Sequence, residues 1–280
     1  VHDVDHEIRM AGELGADRLL LEHRGLITTV GAAPLVIDPS DGPDRPAPAV
    51  INTGAIQVGD GGTVVLQDGF FRNEAGGTIG FDPASTQASE LILQDARLVG
   101  QGETIVTQDD SHSIRIRGDS TLQNISLISS SSPGELTVEQ ANLINRGAFG
   151  AIDVPASFVP RIRVEDSTVD NRSGVIHNLQ ALDNSTIRGG LLTAEWAALR
   201  LVGDVELDDV QLSEVFLDSS QATSITLKNT IDMSQIDRLS ILSANNGPNV
   251  SVAGDVLIVI GGDSTVEDAV LQGAPGGGTI

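Results

Sequence analysis

The chain has 280 residues, a formal net charge of −23 and a pI of about 4.3. A protein this acidic is not expected to bind nucleic acid or anionic membranes, because both would repel it. Aromatic residues make up only 2% of the chain and cysteine is absent, so the composition excludes an aromatic-rich globular core, disulfides and thiol chemistry.

The first 49 residues predict an N-terminal coil or cap with a proline-rich loop. The stretch from Ile8 to Leu21 has the Ala, Glu and Leu content of an amphipathic helix, but Gly12 and Gly15 interrupt it. We therefore favour a β coil here, with a short helix as the alternative. Between Pro34 and Pro48 the density of Pro, Asp and Gly excludes a central strand and indicates a protruding loop or linker.

Residues 50–260 repeat one short unit. In the stretch that begins at residue 162, Ile162 and Val164 point to one face by the alternation of a β-strand, and a polar corner and a second short apolar run follow. Similar units occur at residues 91–100, 114–124 and 136–145. Stacked aliphatic ladders of this kind can fill a narrow tube without aromatic rings.

Each unit ends in an aliphatic or Phe residue that is followed two positions later by Asn, Gly or Asp. These residue types adopt the left-handed backbone region at least cost, so the pattern predicts a corner with positive φ in every coil. The predicted left-handed corners are Asn52, Asn73, Gly100, Asn124, Asn145, Asn171, Gly189 and Asp209. From Asn52 to Asp209 is 157 residues in seven steps, or about 22 per coil, which is a spacing typical of solenoid proteins.

The segment from Ala55 to Ile79 has the order strand, Gly-rich turn, strand, Asn/Gly corner. In this order it resembles the passenger regions of bacterial autotransporters and the related filamentous-haemagglutinin type of secreted adhesin. The resemblance extends over residues 50–260 as a pattern. It implies a right-handed parallel β-helix and an extracellular or cell-surface location, in a bacterium.

The C-terminal part of the chain predicts an edge strand and a tether. The run from Val256 to Ile260 is apolar and β-branched, and we predict that Val256, Ile258 and Ile260 form an assembly edge that docks on a neighbouring coil or chain. Residues 261–280 are rich in Gly and are interpreted as a linker or terminal segment.

Two pairs of adjacent acids and one tripeptide are the candidates for chemistry or recognition. Asp109-Asp110 and Asp208-Asp209 could serve glycoside hydrolysis, but neighbouring strand residues point to opposite faces, so solvated corner carboxylates are the simpler interpretation. Arg117-Gly118-Asp119 spells an integrin-binding tripeptide, although Gly-Asp is also ordinary turn chemistry.

Metal-binding patterns are weak. His2, Asp5 and His6 could hold a metal, but a mobile terminus is the simpler interpretation. The segment 261–266 is similar to a calcium-binding nonapeptide, yet it lacks the second Gly-x-Asp and does not repeat. We therefore predict no catalytic, cofactor-binding or metal residue.

These patterns predict an all-β chain that forms a right-handed parallel β-helix over residues 50–260, between an N-terminal cap (1–49) and a C-terminal linker (261–280). The expected function is that of a non-catalytic extracellular structural or adhesive segment of a stalk, surface layer or fibre, which stacks end to end. Its expected partners are copies of itself or adjoining β-solenoid segments, and a host surface or polysaccharide. The alternative is a carbohydrate-active β-helix similar to a polysaccharide lyase or a tailspike.

Overall fold

The structure is a computed structural model, which describes residues 6–15, 19–39, 44, 46–107, 111–129, 134–151, 161–194, 198–213, 215, 217–235, 240–241, 249–260, 265–266 and 270–273. These residues contain β-strands and no helix. In chain order the strands are β1 (Glu7–Met10), β2 (Gly12–Leu14), β3 (Leu21–His23), β4 (Leu26–Thr29), β5 (Leu35–Ile37), β6 (Val50–Asn52), β7 (Ala55–Val58), β8 (Thr63–Gln67), β9 (Phe70–Asn73), β10 (Thr78–Phe81), β11 (Ser89–Gln94), β12 (Arg97–Thr107), β13 (His112–Ser129), β14 (Glu135–Ala151), β15 (Arg161–Glu165), β16 (Thr168–Asp170), β17 (Val175–His177), β18 (Ala181–Asp183), β19 (Thr186–Arg188), β20 (Leu191–Thr193), β21 (Leu199–Asp208), β22 (Gln211–Ser213), β23 (Leu217–Gln235), β24 (Ser240–Ile241), β25 (Asn249–Ile260), β26 (Thr265–Val266) and β27 (Val270–Gly273).

The strands stack in parallel to form a β-solenoid, in which paired strands lie roughly 23 residues apart along the chain. Each coil contributes to three faces. The first face includes β2, β5, β8, β11, β15 and β18, the second includes β3, β6, β9, β16 and β19, and the third includes β1, β4, β7, β10, β17, β20 and β22. The longer strands pass around a corner and belong to two or three faces. The predicted all-β parallel solenoid is confirmed.

The core is a set of aliphatic ladders inside these faces. On the first face Leu91 pairs with Ile114, Ile114 with Leu136 and Leu136 with Ile162, and all four side chains are fully buried. Val164 is also fully buried and pairs with Val138 and Leu182, as the alternation of residues along the strand predicts. Each buried residue therefore lies between two similar ones, at a strand spacing of about 4.8 Å.

The solenoid begins well before residue 50. Strands β1, β2 and β3 pair in register with β4, β5 and β6, so the segment predicted as a separate cap is part of the same stack. The helix considered for Ile8 to Leu21 is wrong in the described residues, which form strands β1, β2 and the start of β3. The proline-rich loop also begins later than predicted, because Leu35–Ile37 is a central strand paired with β2 and β8.

The stack also continues past residue 260. Strand β27 (Val270–Gly273) pairs with Asn249–Val252 of β25, so part of the segment interpreted as a linker is a strand of the second face. Residues 274–280, which hold most of the Gly-rich run, lie outside the described residues.

The predicted corners are partly right. Asn124, Gly189 and Asp209 have positive φ values of 50°, 68° and 57°, which confirms the prediction at these positions. For Asn52, Asn73, Gly100, Asn145 and Asn171 the prediction is wrong, since none of them is among the described residues with positive φ.

The four asparagines are buried and bond to one another across coils. Asn52 Nδ2 donates to Asn73 Oδ1 at 2.6 Å, and Asn145 Nδ2 donates to Asn171 Oδ1 at 2.7 Å. A Cβ on the following Gly174 would lie 2.4 Å from Asn145 Nδ2 and 2.6 Å from Asn171 Oδ1, so the chain passes tightly over these amides. Asparagine suits this corner because its side-chain amide can both donate and accept hydrogen bonds in a buried position. The same requirement in successive coils explains why Asn recurs at the positions that were predicted to be left-handed.

A more regular set of left-handed residues lies at another corner, between the first and second faces. Its members are Asp68, Asp95, Gly118, Gln140, Asp166, Asn184 and Gly203, with φ between 43° and 64°. Four of them directly follow the ends of β8, β11, β15 and β18. The other three lie inside the long strands β13, β14 and β21, at the point where each strand bends from the first face to the second. This corner allows the chain to turn between two faces without breaking the stack.

Candidate functional site

The first described coil has partly exposed side chains at positions that are buried in the next coil. Ile8 pairs with Ile27, Leu14 with Ile37 and Leu21 with Val50, and Ile27, Ile37 and Val50 are almost completely buried. Ile8, Leu14 and Leu21 are only partly buried. The first described coil thus presents the same inward positions as its neighbour, without a described coil to cover them.

We call this region the end surface, and it has further apolar members beside the three core positions. Met10 and Leu19 are partly buried against the core, and Leu20 is 71% exposed. Two charged residues of the same coil form an ion pair beside the end surface, with Arg9 Nε 2.6 Å from Glu7 Oε1. These two exposed residues flank the inward-facing Ile8. The end surface is therefore apolar at its centre.

The strands around the end surface are also sheet edges. Among the described residues, β1 pairs only with β4, β2 only with β5 and β3 only with β6. An edge strand presents backbone N–H and C=O groups that can pair with another strand. Backbone groups and apolar side chains together give this end what a further coil needs in order to stack on it.

The predicted C-terminal assembly edge lies on the third face. Residues Leu257–Ile260 pair with Thr230–Met233 of β23, so this side of Ile258 and Ile260 is already occupied. On the other side of β25 only Asn249–Val252 have a partner among the described residues, namely β27. The backbone therefore leaves one edge of the run Val256, Ile258 and Ile260 without a described strand.

The first face has rows of charged side chains that pair across coils. Arg115 Nε lies 2.6 Å from Glu90 Oε1 and its Nη1 lies 3.4 Å from Glu139 Oε1, and Arg117 Nη2 lies 2.5 Å from the same Glu139 oxygen. Glu139, Glu165 and Asp183 follow one another in register on three successive coils. Beside them an open groove of about 530 Å³ is lined by Gln94, Asp95, Arg117, Gly118, Glu139, Gln140, Glu165 and Asp166.

The Arg117-Gly118-Asp119 tripeptide lies at the rim of this groove, and both of its charged residues have partners within the solenoid. Arg117 pairs with Glu139, and Asp119 Oδ1 accepts a hydrogen bond from Asn142 Nδ2 at 2.8 Å. The backbone N–H of Asp119 donates to Asp95 Oδ1 at 2.9 Å. The tripeptide is therefore a corner that these contacts fix to the neighbouring coils.

The acid pairs and metal patterns do not form a described site. Asp208 is partly buried in β21 and accepts a hydrogen bond from Asn229, whereas Asp209 is an exposed left-handed corner residue. Asp109 and Asp110, His2 and Asp5, and residues 261–264 lie outside the described residues. Within the described part of the chain no group of three or more His, Cys, Asp or Glu residues could hold a metal ion.

The third face differs from the other two in charge. Its strand segments contain no Asp, Glu, Lys or Arg from β4 to β22, with Glu103 of β12 as the exception among the described residues. We call it the neutral face. It consists of nine segments: Leu26–Thr29, Ala55–Val58, Thr78–Phe81, the C-terminal ends of β12, β13 and β14 (residues 103–107, 125–129 and 148–151), Val175–His177, Leu191–Thr193 and Gln211–Ser213. Burial lowers the pKa of its single histidine in these strands, His177, so this side chain is neutral at pH 7.

Sequence reasoning missed both the end surface and the neutral face. The end surface depends on knowing which strand is terminal in the stack, and the neutral face depends on knowing which segments share a face. A scan of the predicted strands for charged residues would have found the second, once three strands were assigned to each coil.

Comparison of the chain with models of protein families, with curated proteins and with solved structures finds no match. The resemblance to autotransporter passengers and filamentous-haemagglutinin adhesins therefore stays a prediction from the sequence pattern. In the described residues, no helix is long and apolar enough to cross a membrane.

Proposed function

We propose that this chain is a non-catalytic structural segment of an extracellular, cell-surface stalk or fibre, which grows by stacking further β coils on its ends. The observation that supports this proposal best is the end surface. Ile8, Leu14 and Leu21 continue the ladders of Ile27, Ile37 and Val50, yet they remain partly exposed.

Stacking of a further coil on the end surface would be favoured by apolar burial and by backbone hydrogen bonds. Burial of an apolar side chain of this size stabilises a contact by roughly 1.5–3 kcal/mol, and three edge strands would gain backbone hydrogen bonds as well. A coil whose aliphatic residues have the same spacing would extend all three ladders. Copies of this chain, or adjoining solenoid segments of a longer protein, have that spacing.

The proposal is tested by the length of the particles in solution. Electron microscopy and multi-angle light scattering on the native protein should show rods longer than one 280-residue unit. Leu14→Arg places a charge at the centre of the end surface and should shorten the rods to single units. Ile144→Arg is the matched control, because Ile144 is 38% exposed on the second face and should leave the rods unchanged. Single units in the native protein at every concentration would contradict the proposal.

A carbohydrate-active solenoid is the second candidate, and the charged groove of the first face supports it. Glu165 and Asp183 lie in register on adjacent coils, and strand spacing places such carboxylates about 5 Å apart, which is near the separation in retaining glycosidases. A second groove on this face is lined by Glu165 and Asp183 together with Arg163 and Arg200, and the two arginines could hold an acidic sugar. Depolymerisation of an acidic polysaccharide by the native protein, lost in Glu165→Gln, would favour this candidate over the structural one.

A further inference from the structure

The neutral face is unusual in a protein with a net charge of −23. On the second face the corresponding outward column runs Asp170, Arg188, Asp208 and Lys228, and on the first face it includes Glu139, Glu165 and Asp183. On the neutral face one column runs Ser126, Ala148, Val175, Leu191 and Gln211, each paired in register with the next. We propose that the neutral face is a lateral interface through which two copies of this chain associate side by side.

The charge distribution selects a second copy as the partner. Two copies that approach through the first face bring the row of Glu139, Glu165 and Asp183 together, and like charges placed opposite each other oppose association. On the second face acidic and basic residues alternate along the column, so two copies can meet there only in a register that places opposite charges together. The neutral face lets two acidic rods meet with the least repulsion. Depletion of charged residues, more than high apolar content, is also the compositional feature that distinguishes the centre of a protein interface from other surface.

The shape of the face fits the same partner. The residues of its outward column are small or of medium size, and Ala148, Val175 and Leu191 are partly buried. Strands at a spacing of about 4.8 Å form a regular, closely spaced surface, and two such sheets can pack about 10 Å apart. A second copy presents a surface of the same spacing.

The area indicates a weak dimer. Nine stacked segments from β4 to β22, three to five residues wide, cover roughly 43 Å by 12 Å, or about 500 Å² on each copy. The total of about 1,000 Å² is at the lower limit for a specific interface and below the standard size. We therefore expect association that depends on protein concentration. A two-fold contact of this kind closes at two copies, whereas stacking of unlike ends does not close.

The test measures sedimentation in the Leu14→Arg background, so that the end surface does not contribute. The Leu14→Arg protein, which is the parent in this experiment, should show a monomer–dimer equilibrium. Ala148→Glu, at the second of the five positions in the neutral column, should be monomeric. The matched control is Ala181→Glu, the same substitution on the first face between Arg163 and Arg200, which should associate like the parent. An equimolar mixture of Ala148→Glu and Ala148→Lys should recover the dimer, an outcome that loss of folding would not produce.

Circular dichroism establishes that each variant is folded. If Ala148→Glu does not fold, Gln211→Glu replaces it, with Gln221→Glu, at an exposed position of the first face, as control. A parent that stays monomeric up to about 1 mM overturns the proposal. So does equal dimerisation of the neutral-face and control variants, or a mixture of the two Ala148 variants that remains monomeric. These results are independent of rod length, which tests the proposed function.

Discussion

At the scale of single residues, the asparagines of this chain have two structural roles that look alike in sequence. Asn124 and Asn184 are exposed and have left-handed backbones, with φ of 50° and 43°. Asn145 and Asn171 are fully buried and use their side-chain amides as a ladder between coils. Both roles favour asparagine at a corner, so spacing alone does not separate them.

The buried ladder predicts a specific cost for Asn171→Val. This substitution removes the oxygen that accepts from Asn145 Nδ2 at 2.7 Å and leaves part of a buried amide unsatisfied, which costs about 1–3 kcal/mol. Chemical denaturation should show this loss in the free energy of unfolding. Asn142→Val, at an exposed position of the preceding coil, removes only a solvent-exposed hydrogen bond to Asp119 Oδ1 and should change it by no more than about 0.5 kcal/mol. Equal stability of both variants would mean that the ladder does not stabilise the fold.

At the left-handed corner the backbone conformation, and not a side-chain hydrogen bond, determines which residue is tolerated. Asp166 lies at this corner, is exposed and has a φ of 47°. Asp166→Gly should keep or raise thermal stability, because glycine adopts this conformation without strain. Asp166→Val should lower the free energy of unfolding by about 1–2 kcal/mol, because a β-branched side chain clashes with the backbone there. If valine is tolerated as well as glycine, the backbone at this corner is not left-handed in solution.

At the scale of the elements, strand alternation was predictable, whereas the position of the left-handed corners was predictable only in part. Buried positions such as Ile162 and Val164 follow from the alternation of aliphatic and polar residues, because every coil repeats the same demand on its inward face. The left-handed corner between the first and second faces includes Gln140, a residue type that sequence reasoning does not associate with positive φ. Pairing with the coils before and after it fixes the backbone there more strongly than its own preference does.

A loop between β10 and β11 depends on one carboxylate of the preceding coil. Asp60 Oδ1 accepts from the backbone N–H groups of Thr86 and Gln87 at 2.7 and 2.8 Å and from the Ser85 hydroxyl at 3.1 Å. The bonds from Thr86 and then Gln87 lower the pKa of Asp60 from its ordinary value of 3.8. They order the loop while the carboxylate is charged.

The pH dependence of this loop follows from the direction of that shift. Because the folded pKa is the lower one, the contribution of Asp60 is present above pH 3.8 and is lost as the pH falls through the folded value. Protection of the Thr86 and Gln87 amides from hydrogen exchange should therefore decrease only below pH 3.8 in the native protein. Asp60→Asn should have low protection already at pH 7, and Asp183→Asn, a distant change of the same charge, should not. Full protection in Asp60→Asn would show that the carboxylate does not order the loop.

At the scale of the whole molecule, charge and association surfaces are separated. Acidic and basic side chains lie along the first and second faces, where cross-coil pairs such as Arg115 with Glu90 and Lys228 with Glu206 partly balance them. The end surface and the neutral face have few charges. The stack of ladders makes the rod, and the distribution of charge determines which of its surfaces can approach another copy.

This separation predicts how association responds to salt. Copies of a protein with a net charge of −23 repel each other, and salt shortens the range of that repulsion from about 30 Å at 0.01 M to about 10 Å at 0.1 M. If contacts form through the end surface and the neutral face, the weight-average mass measured by light scattering at pH 7 should rise as NaCl increases over this range. The combined variant Leu14→Arg, Ala148→Glu should show little or no rise, because it places a charge on both surfaces. A mass that falls with added salt would indicate that copies associate instead through ion pairs between charged faces, such as the arginines and carboxylates of the first-face groove.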